Sequence, residues 1–199
     1  TASSKSSAMR SRMAIEAAEA PRRVAAMLAA NRAQAERLGE RIRRLRPRMI
    51  VTCARGSSDH AAACLRFAFQ QLLGVPAFDL SPGLASVYDM ALDLEGAICI
   101  LVSQSGQSPD MLRAAVWAKK NGAETIALVN EPSSRLAGLT DHVVDVGAGA
   151  ETSVAATKSF ICSVAAGLQI AAAATRDTEL RAALDGLPDV LEAATGLDW

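Results

Sequence analysis

The sequence of 199 residues predicts an α/β protein: a three-layer α-β-α sandwich with a five-stranded parallel sheet. Five short apolar runs of strand length alternate with segments that show helical periodicity. The runs over 49–54 and 97–102 are continuously apolar, which is typical of strands that helices cover on both faces. Half of the residues are hydrophobic, which is enough to fill such a core.

The order of elements follows from periodicity and from glycine and proline positions. A helical pattern runs from about residue 13 to 45, where Pro21 can open a helix and Pro47 ends the pattern. The predicted strands are residues 49–54, 76–80, 97–102, 124–129 and 142–146. Further helices are predicted over residues 61–73, from 81–83 to about 90, and over 109–121, 133–138, 153–174 and 177–194.

The charge is balanced overall but unevenly distributed. Residues 1–60 hold 13 Lys and Arg against 5 Asp and Glu, and residues 61–199 hold 8 against 16. A basic leader can bind nucleic acid. Here the arginines recur at helical spacing without interleaved aromatic residues, so we interpret them as a solvated or dimer-facing helix face and predict no nucleic-acid partner. These arginines are Arg37, Arg41, Arg44 and Arg48.

Several classes of protein are disfavoured by composition. The longest apolar stretch, 164–174, is interrupted by Gln169 and is shorter than the ~20 residues of a membrane span, so no membrane partner is predicted. Residues 1–7 lack the apolar core of a secretory signal. The four cysteines form no C-x-x-C pair and indicate a reducing, cytoplasmic compartment. With only two histidines, a His-rich metal site is not expected, and we predict no metal.

Three polar loops follow predicted strands at the carboxyl edge of the sheet: residues 55–59, 103–110 and 147–153. The second loop reads Ser103-Gln104-Ser105-Gly106-Gln107-Ser108-Pro109-Asp110 and opens a helix. Its hydroxyls, its amide side chain and the free N–H groups of a helix start suit a phosphate monoester. The alternative is that Ser108 and Asp110 only cap their own helix.

The sequence motifs also argue against other phosphate-binding and serine chemistries. No G-x-x-x-x-G-K-[ST] segment and no G-x-G-x-x-G after a strand occur, so no nucleotide or dinucleotide cofactor is predicted. The segment Gln104-Ser105-Gly106 lacks the G-x-S-x-G context of a nucleophile elbow, which disfavours a serine hydrolase.

The first loop offers two readings. Gly56-Ser57-Ser58 forms either a turn with a helix cap or a second wall of the pocket, with Ser58 donating to phosphate. Arg55 either adds charge-assisted binding or pairs with Asp59. His60 is interpreted as a structural or rim residue.

The third loop is expected to begin the long helix over 153–174 with several free amides. Lys158 lies about one turn into that helix. It either contributes to the site, or the segment only caps its helix and the lysine extends its charged end to solvent or pairs with Glu151.

Together these segments resemble the SIS (sugar isomerase) domain family. The matching segments are Arg55-Gly56-Ser57-Ser58, residues 103–108 and residues 151–160, which read Glu-Thr-Ser-Val-Ala-Ala-Thr-Lys-Ser-Phe. The likeness is to the first half of the isomerase region of glutamine:fructose-6-phosphate aminotransferase and to amino-sugar-phosphate deaminases. Residues 13–21 resemble the helical leader ahead of that region, and the resemblance covers residues from about 9 to 199.

The resemblance implies a Rossmann- or flavodoxin-like SIS fold and a bound sugar phosphate such as fructose 6-phosphate or glucosamine 6-phosphate. It implies that Ser58, Ser103, Gln104, Ser105 and Ser108 bind this ligand and that Ser57 and Val154 line the pocket. Arg55 stands where the aminotransferase often has cysteine, and Gln107 and Ser108 stand where it has glutamate and threonine. The Ser108 difference keeps a hydroxyl.

The family also implies a domain organisation and a mechanism. Residues 1–47 are expected to be a helical leader, 48–176 the sugar-phosphate-binding domain and 177–199 a connector toward a second SIS domain. In the family, the groups that open the ring and move the proton between C1 and C2, through an enediol-type intermediate, belong to that second domain and the tail. No catalytic residue is therefore assigned, and this chain is expected to be a binding half without a glutaminase domain.

Three functions remain open at this point. The first is half of a homodimeric tandem-SIS enzyme: an aldose–ketose isomerase, an aminotransferase-like protein or an amino-sugar-phosphate deaminase. The second is a non-catalytic sugar-phosphate sensor that regulates transcription or another enzyme. The third is a structural dimerisation module.

Overall fold

The computed structural model describes residues 11–88 and 90–197. It contains five strands, all parallel, in the spatial order β2-β1-β3-β4-β5, which confirms the predicted five-stranded sheet. The strands are β1 Met49–Ala54, β2 Ala77–Asp79, β3 Ala97–Ser103, β4 Glu124–Val129 and β5 His142–Asp145. In this order the crevice between the carboxyl ends of β1 and β3 is the topological switch point, where such sheets bind ligands.

Seven α-helices accompany the sheet within the described residues. They are α1 Arg12–Ala18, α2 Ala20–Leu45, α3 Ser57–Leu73, α4 Pro109–Lys120, α5 Arg135–Leu139, α6 Lys158–Thr175 and α7 Thr178–Thr195. Pro21 lies in the first turn of α2 as predicted, and Gly74 caps α3 in the left-handed conformation.

Three predicted helix boundaries were wrong. The helix α3 begins at Ser57 rather than at residue 61, and the short helix predicted up to residue 90 is a π-helical turn over Leu84–Tyr88. The helix α6 begins at Lys158 rather than at residue 153. The extra irregular residues before α6 exist because side-chain carboxylates, described below, hold that segment in a non-helical path.

Side chains alternate between the two faces of the central strand β3. Ile98, Ile100 and Val102 pack into the core beneath α2, α3 and α6, whereas Cys99 and Leu101 pack beneath α4 and α5. All seven residues of β3 are buried, which explains its continuous apolar sequence. Helices on both faces confirm the three-layer α-β-α sandwich.

The leader helix α2 is part of the first of these two cores. Its buried residues pack with α6, and α7 adds Leu184 on the outer side of the same cluster. The apolar residues of α2 in this core are Val24, Met27, Leu28, Ala35, Leu38 and Ile42.

Arginines within residues 1–60 form ion pairs with acidic residues from later in the chain. Arg41 Nη2 lies 2.7 Å from Glu124 Oε2 in β4, and Arg48 Nη2 lies 2.7 Å from Asp93 Oδ2. Arg32 reaches Asp185 in α7 at 3.2 Å. The uneven charge distribution along the sequence is thus compensated in three dimensions.

Among the described residues one helix, α6, is long and apolar enough to cross a membrane. It is mostly buried against α2 and α3, and 67% of it lies inside the fold, as expected for the core helix of a sandwich.

Candidate functional site

A cleft of about 230 Å³ lies at the carboxyl edge of the sheet, where β1 and β3 end. It brings together all seven residues predicted to contact or line a ligand site. These are Ser57, Ser58, Ser103, Gln104, Ser105, Ser108 and Val154. Arg55, Glu151 and Ser153 also line it. The structure therefore joins three loops that are separated by up to about 100 residues in sequence, and the ligand roles of their residues stay predictions.

The serine loop, residues 103–108, is held by its own backbone. The buried Ser103 Oγ accepts a hydrogen bond from Gly106 N at 3.0 Å, and Ser105 Oγ accepts one from Gln107 N at 3.3 Å. Gly106 has φ +61°, and a Cβ there would lie 2.2 Å from Ser134 Oγ. Glycine is thus required at this turn for both conformation and space.

The N-terminus of α5 supports the serine loop. Leu136 N donates to the carbonyl of Gly106 at 3.1 Å, and Ser134, the N-cap of α5, packs against the same glycine. These contacts hold the serine loop against the start of α5.

Ser108 stands at the N-cap of α4 but makes no capping hydrogen bond through its side chain. The alternative in which its hydroxyl caps the helix was therefore wrong. Within residues 11–88 and 90–197, the hydroxyls of Ser58 and Ser108 have no hydrogen-bond partner, and both residues are partly buried in the cleft wall. Polar groups in such a position are free to bind a ligand.

Gly56, rather than a serine, is the N-cap residue of α3. Its φ of +58° belongs to the left-handed region that favours glycine. Ser57 Oγ accepts from Ala156 N at 3.4 Å, which links the first loop to the third. His60 is exposed and does not line the cleft, and its interpretation as a structural or rim residue stays a prediction.

Arg55 forms an ion pair with Asp110 in the first turn of α4. The predicted alternative, a pair with Asp59, was wrong, because Asp59 lies nearer Arg66, at 3.8 Å. Arg55 is the one cation among the described residues that line the cleft, and its side chain is 62% exposed. Its guanidinium can therefore approach an anion bound above α4.

The start of α6 differs from the expectation of free amides. The carboxylate of Glu151 accepts from the backbone N–H groups of Thr157 at 2.6 Å, Lys158 at 2.9 Å and Ser159 at 3.1 Å. A carboxylate stabilises a helix N-terminus. Burial raises the pKa of Glu151, but hydrogen bonds from Ser159 and Thr157 outweigh it and hold the pKa below its ordinary value. Glu151 therefore occupies the place that a phosphate would need at this helix.

The ammonium group of Lys158 does not pair with Glu151, whose carboxylate accepts from this lysine only through the backbone N–H. Its Nζ lies 2.7 Å from Glu19 Oε2, and the lysine is 2% exposed. The lysine joins α6 to the start of α2. It is not among the residues that line the cleft, so its side chain does not contribute to the site.

The leader also contributes Glu16, which sequence reasoning missed. Glu16 Oε1 accepts from Thr152 N at 2.7 Å and Thr152 Oγ1 at 2.9 Å, and Oε2 accepts from Ser153 N at 3.2 Å. The nearby Ser153 hydroxyl and the Thr152 amide lower the pKa of Glu16 to about 2. A glutamate in an alanine-rich leader was the only sequence signal, and it did not indicate a partner.

The chemistry of the cleft is that of binding. Hydroxyls, an amide side chain and the N-terminus of α4 face one space, which suits a small anion bearing polar substituents. The Glu151 carboxylate is fully engaged by α6, so it is a poor general base. No group of three His, Cys, Asp or Glu side chains that could hold a metal ion occurs in the described part of the chain.

The fold and the cleft define the class of protein: a flavodoxin-like α/β domain with a hydroxyl-rich site at its switch point. Residues 45–173 match the SIS domain, and the chain belongs to this family. It is 38% identical over 117 residues to the isomerizing glutamine–fructose-6-phosphate aminotransferase of Helicobacter pylori. This match covers 58% of the chain and 19% of that protein, so the chain spans about a fifth of its curated relative.

Solved structures share the whole architecture. A protein from Silicibacter pomeroyi DSS-3, assigned as a phosphosugar isomerase, superimposes with a TM-score of 0.92 at 44% identity, over 96% of this chain and 58% of that chain. The Vibrio vulnificus NanR protein, solved with ManNAc-6P, shares the fold with a TM-score of 0.70 at 19% identity, over 92% of this chain and 69% of that chain. The chain is thus an SIS domain related to phosphosugar isomerases and to the isomerase domains of the aminotransferase.

Proposed function

We propose that the cleft binds a hexose or hexosamine 6-phosphate, with the phosphate seated on the serine loop and the first turn of α4. The carrying observation is the pair of unpartnered hydroxyls, Ser58 and Ser108, that face one cleft at a helix start. A phosphate monoester offers oxygens that accept from hydroxyls and backbone N–H groups, and its charge is favoured at a helix N-terminus.

The third loop forms the opposite wall in this proposal. Val154 is fully exposed and lines the cleft, so its side chain is available for the carbon skeleton of a sugar. The phosphate is then the anchor, and the sugar extends toward residues 151–156. Binding energy from a remote phosphate orients the reacting carbons in enzymes of this kind.

We assign the chain to the binding half of a tandem-SIS enzyme of the isomerase, deaminase or aminotransferase type. The general base that moves the proton between C1 and C2 is then supplied by a second domain or by another subunit, because Glu151, the one carboxylate among the described residues that line the cleft, is engaged by α6. The division into a leader (1–47), a binding domain (48–176) and a connector (177–199), a homodimer, and cytoplasmic residence belong to the same proposal.

A second candidate is a non-catalytic sensor. The observation that favours it is the fold shared with NanR, whose structure contains ManNAc-6P, together with the engagement of Glu151, the one carboxylate among the described lining residues, by α6. In a sensor, ligand binding would shift the protein between two states rather than convert the ligand.

The binding proposal is tested by isothermal titration calorimetry with fructose 6-phosphate, glucosamine 6-phosphate and unphosphorylated fructose. We expect both phosphates to bind and fructose not to. Ser108→Ala should lower the affinity about tenfold, the loss of roughly one hydrogen bond to a charged group, without changing the melting temperature. Ser133→Ala, on an exposed serine outside the cleft, is the matched control. Binding of fructose equal to that of its phosphate would refute the proposal.

Enzyme and sensor are separated by incubating the protein with fructose 6-phosphate in D2O. Proton transfer between C1 and C2 incorporates deuterium at carbon, which NMR detects. Deuterium incorporation by the protein that carries both proposed SIS domains supports the enzyme. Binding of fructose 6-phosphate by that protein without deuterium incorporation supports the sensor.

A further inference from the structure

Helix α1 of the leader contacts the third loop, which we call the third wall of the cleft, through the side chain of Glu16. Glu16 is 7% exposed, and both of its carboxylate oxygens accept hydrogen bonds from a loop that follows 136 residues later. Three donors, the Thr152 amide, the Thr152 hydroxyl and the Ser153 amide, converge on this carboxylate. Charge-assisted hydrogen bonds of this kind are stronger and more directional than neutral ones.

The segment that Glu16 holds has no helix or strand of its own. Residues 146–157 run between the end of β5 and the start of α6. Two carboxylates anchor this segment and the helix start that follows it: Glu16 at Thr152 and Ser153, and Glu151 at residues 157–159. Ser57 Oγ adds a third, longer contact at 3.4 Å from Ala156 N. Val154 lies between the two anchors and is fully exposed toward the cleft. Its place therefore depends on both.

The serine loop is held by different elements. Its internal bond from Gly106 N to Ser103 Oγ and its support from Leu136 N do not involve α1 or the third loop. The serine loop is thus supported by α5, whereas the third loop is held by the carboxylates of Glu16 and Glu151 and by Ser57.

We propose that Glu16 is a positioning residue, which holds residues 152–154 so that the third wall contacts the sugar part of the ligand. The leader then sets the affinity for the sugar, whereas the serine loop sets the affinity for the phosphate. This inference rests on the proposed function, and it assigns to the helix ahead of the family match a role in ligand selection.

The proposal predicts different effects on two ligands. In Glu16→Ala, the affinity for fructose 6-phosphate should fall about tenfold, as expected when a contacting wall is displaced, while the affinity for inorganic phosphate changes less than about twofold. Glu16→Gln should lie between, because its amide oxygen can still accept from Thr152 while its NH2 group faces the N–H of Ser153. Glu40→Ala, which removes an exposed glutamate paired within α2, is the control and should bind both ligands normally.

A second measurement tests, without any ligand, whether Glu16 holds the third loop. Hydrogen exchange followed by mass spectrometry should show faster exchange of the Thr152 and Ser153 amides in Glu16→Ala, with the amides at the start of α6 unchanged because Glu151 still holds them. Unchanged exchange at residues 152–153 overturns the positioning role.

The two affinities decide whether Glu16 sets the affinity for the sugar. An equal loss of affinity for fructose 6-phosphate and inorganic phosphate, or no loss for either, overturns the proposal even if the wild-type protein binds both. If the wild-type protein binds neither, the proposed function fails, and the claim that Glu16 sets sugar affinity fails with it. Exchange at Thr152 then still shows whether Glu16 holds the loop.

Discussion

Lys158 Nζ lies 2.7 Å from Glu19 Oε2, so the first residue of α6 is joined to the residue that precedes α2, 139 positions earlier. The lysine is 2% exposed, whereas the side chain of Glu19 is 32% exposed. The hydrogen bond and charge of Lys158 lower the pKa of Glu19. The pair fixes the leader against the helix that begins beneath the cleft.

Removal of Glu19 should be more damaging than removal of Lys158. Glu19→Ala leaves a buried ammonium group without its partner, whereas Lys158→Met replaces the lysine by an apolar chain of similar length. We expect the melting temperature of Glu19→Ala to lie below that of Lys158→Met, and the double variant to regain part of the loss. Circular dichroism melts check this. A lower melting temperature for Lys158→Met than for Glu19→Ala would show that the pair itself, rather than the unpaired charge, dominates.

The Glu16 carboxylate predicts a pH dependence at acid pH. Its pKa is about 2 in the folded protein against an ordinary value of 4.5, mainly through Ser153 and Thr152. A lowered folded-state pKa contributes stability above pH 4.5 that is lost as the pH falls toward 2. The melting temperature of Glu16→Gln should therefore fall less steeply than that of the wild type between these pH values. Parallel melting curves over this window would contradict the assignment.

Arg55 predicts a contribution to anion affinity that depends on salt. Because the Arg55 side chain is 62% exposed and its charge is already paired with Asp110, we expect Arg55→Ala to weaken binding of fructose 6-phosphate only about two- to fivefold. Added salt should weaken the wild type more than this variant, since screening removes the same attraction. Calorimetry at two ionic strengths measures both effects. Arg55→Lys, which keeps the charge, should retain the salt dependence, and an identical salt response in all three proteins would exclude a role for Arg55.

Two glycines in helices should respond oppositely to alanine. Gly39 lies where α2 crosses α6, and a Cβ there would lie 2.5 Å from the carbonyl carbon of Ala173, so Gly39→Ala should destabilise the protein by about 1–3 kcal/mol. Gly186, inside α7, has open space around the same position, so Gly186→Ala should stabilise by roughly 0.5–1 kcal/mol. Urea unfolding measures both changes. Destabilisation by both substitutions would mean that helix α7 packs more tightly than the structure shows.

The sequence alone was sufficient for the sheet and for most of the cleft. Strands such as β3 are continuous apolar runs because both faces are buried, and this pattern is local and readable. Because the carboxyl ends of parallel strands lie at one edge of a sheet, the polar segments after β1 and β3 are neighbours, and this predicts that Ser58 and Ser108 lie together, as they do in the cleft.

The tertiary structure alone decided which charges pair and where α6 begins. Glu16, Glu19, Arg55 and Lys158 each have a partner that is distant in sequence, and nothing near them in the chain distinguishes that partner from other acids and bases. Helix α6 starts where the Glu151 carboxylate accepts hydrogen bonds from the backbone amides of Thr157 and Lys158. The local sequence pattern would equally allow these amides inside a longer helix. Periodicity is a property of neighbouring residues, whereas ion pairs and carboxylate caps depend on how the whole chain packs.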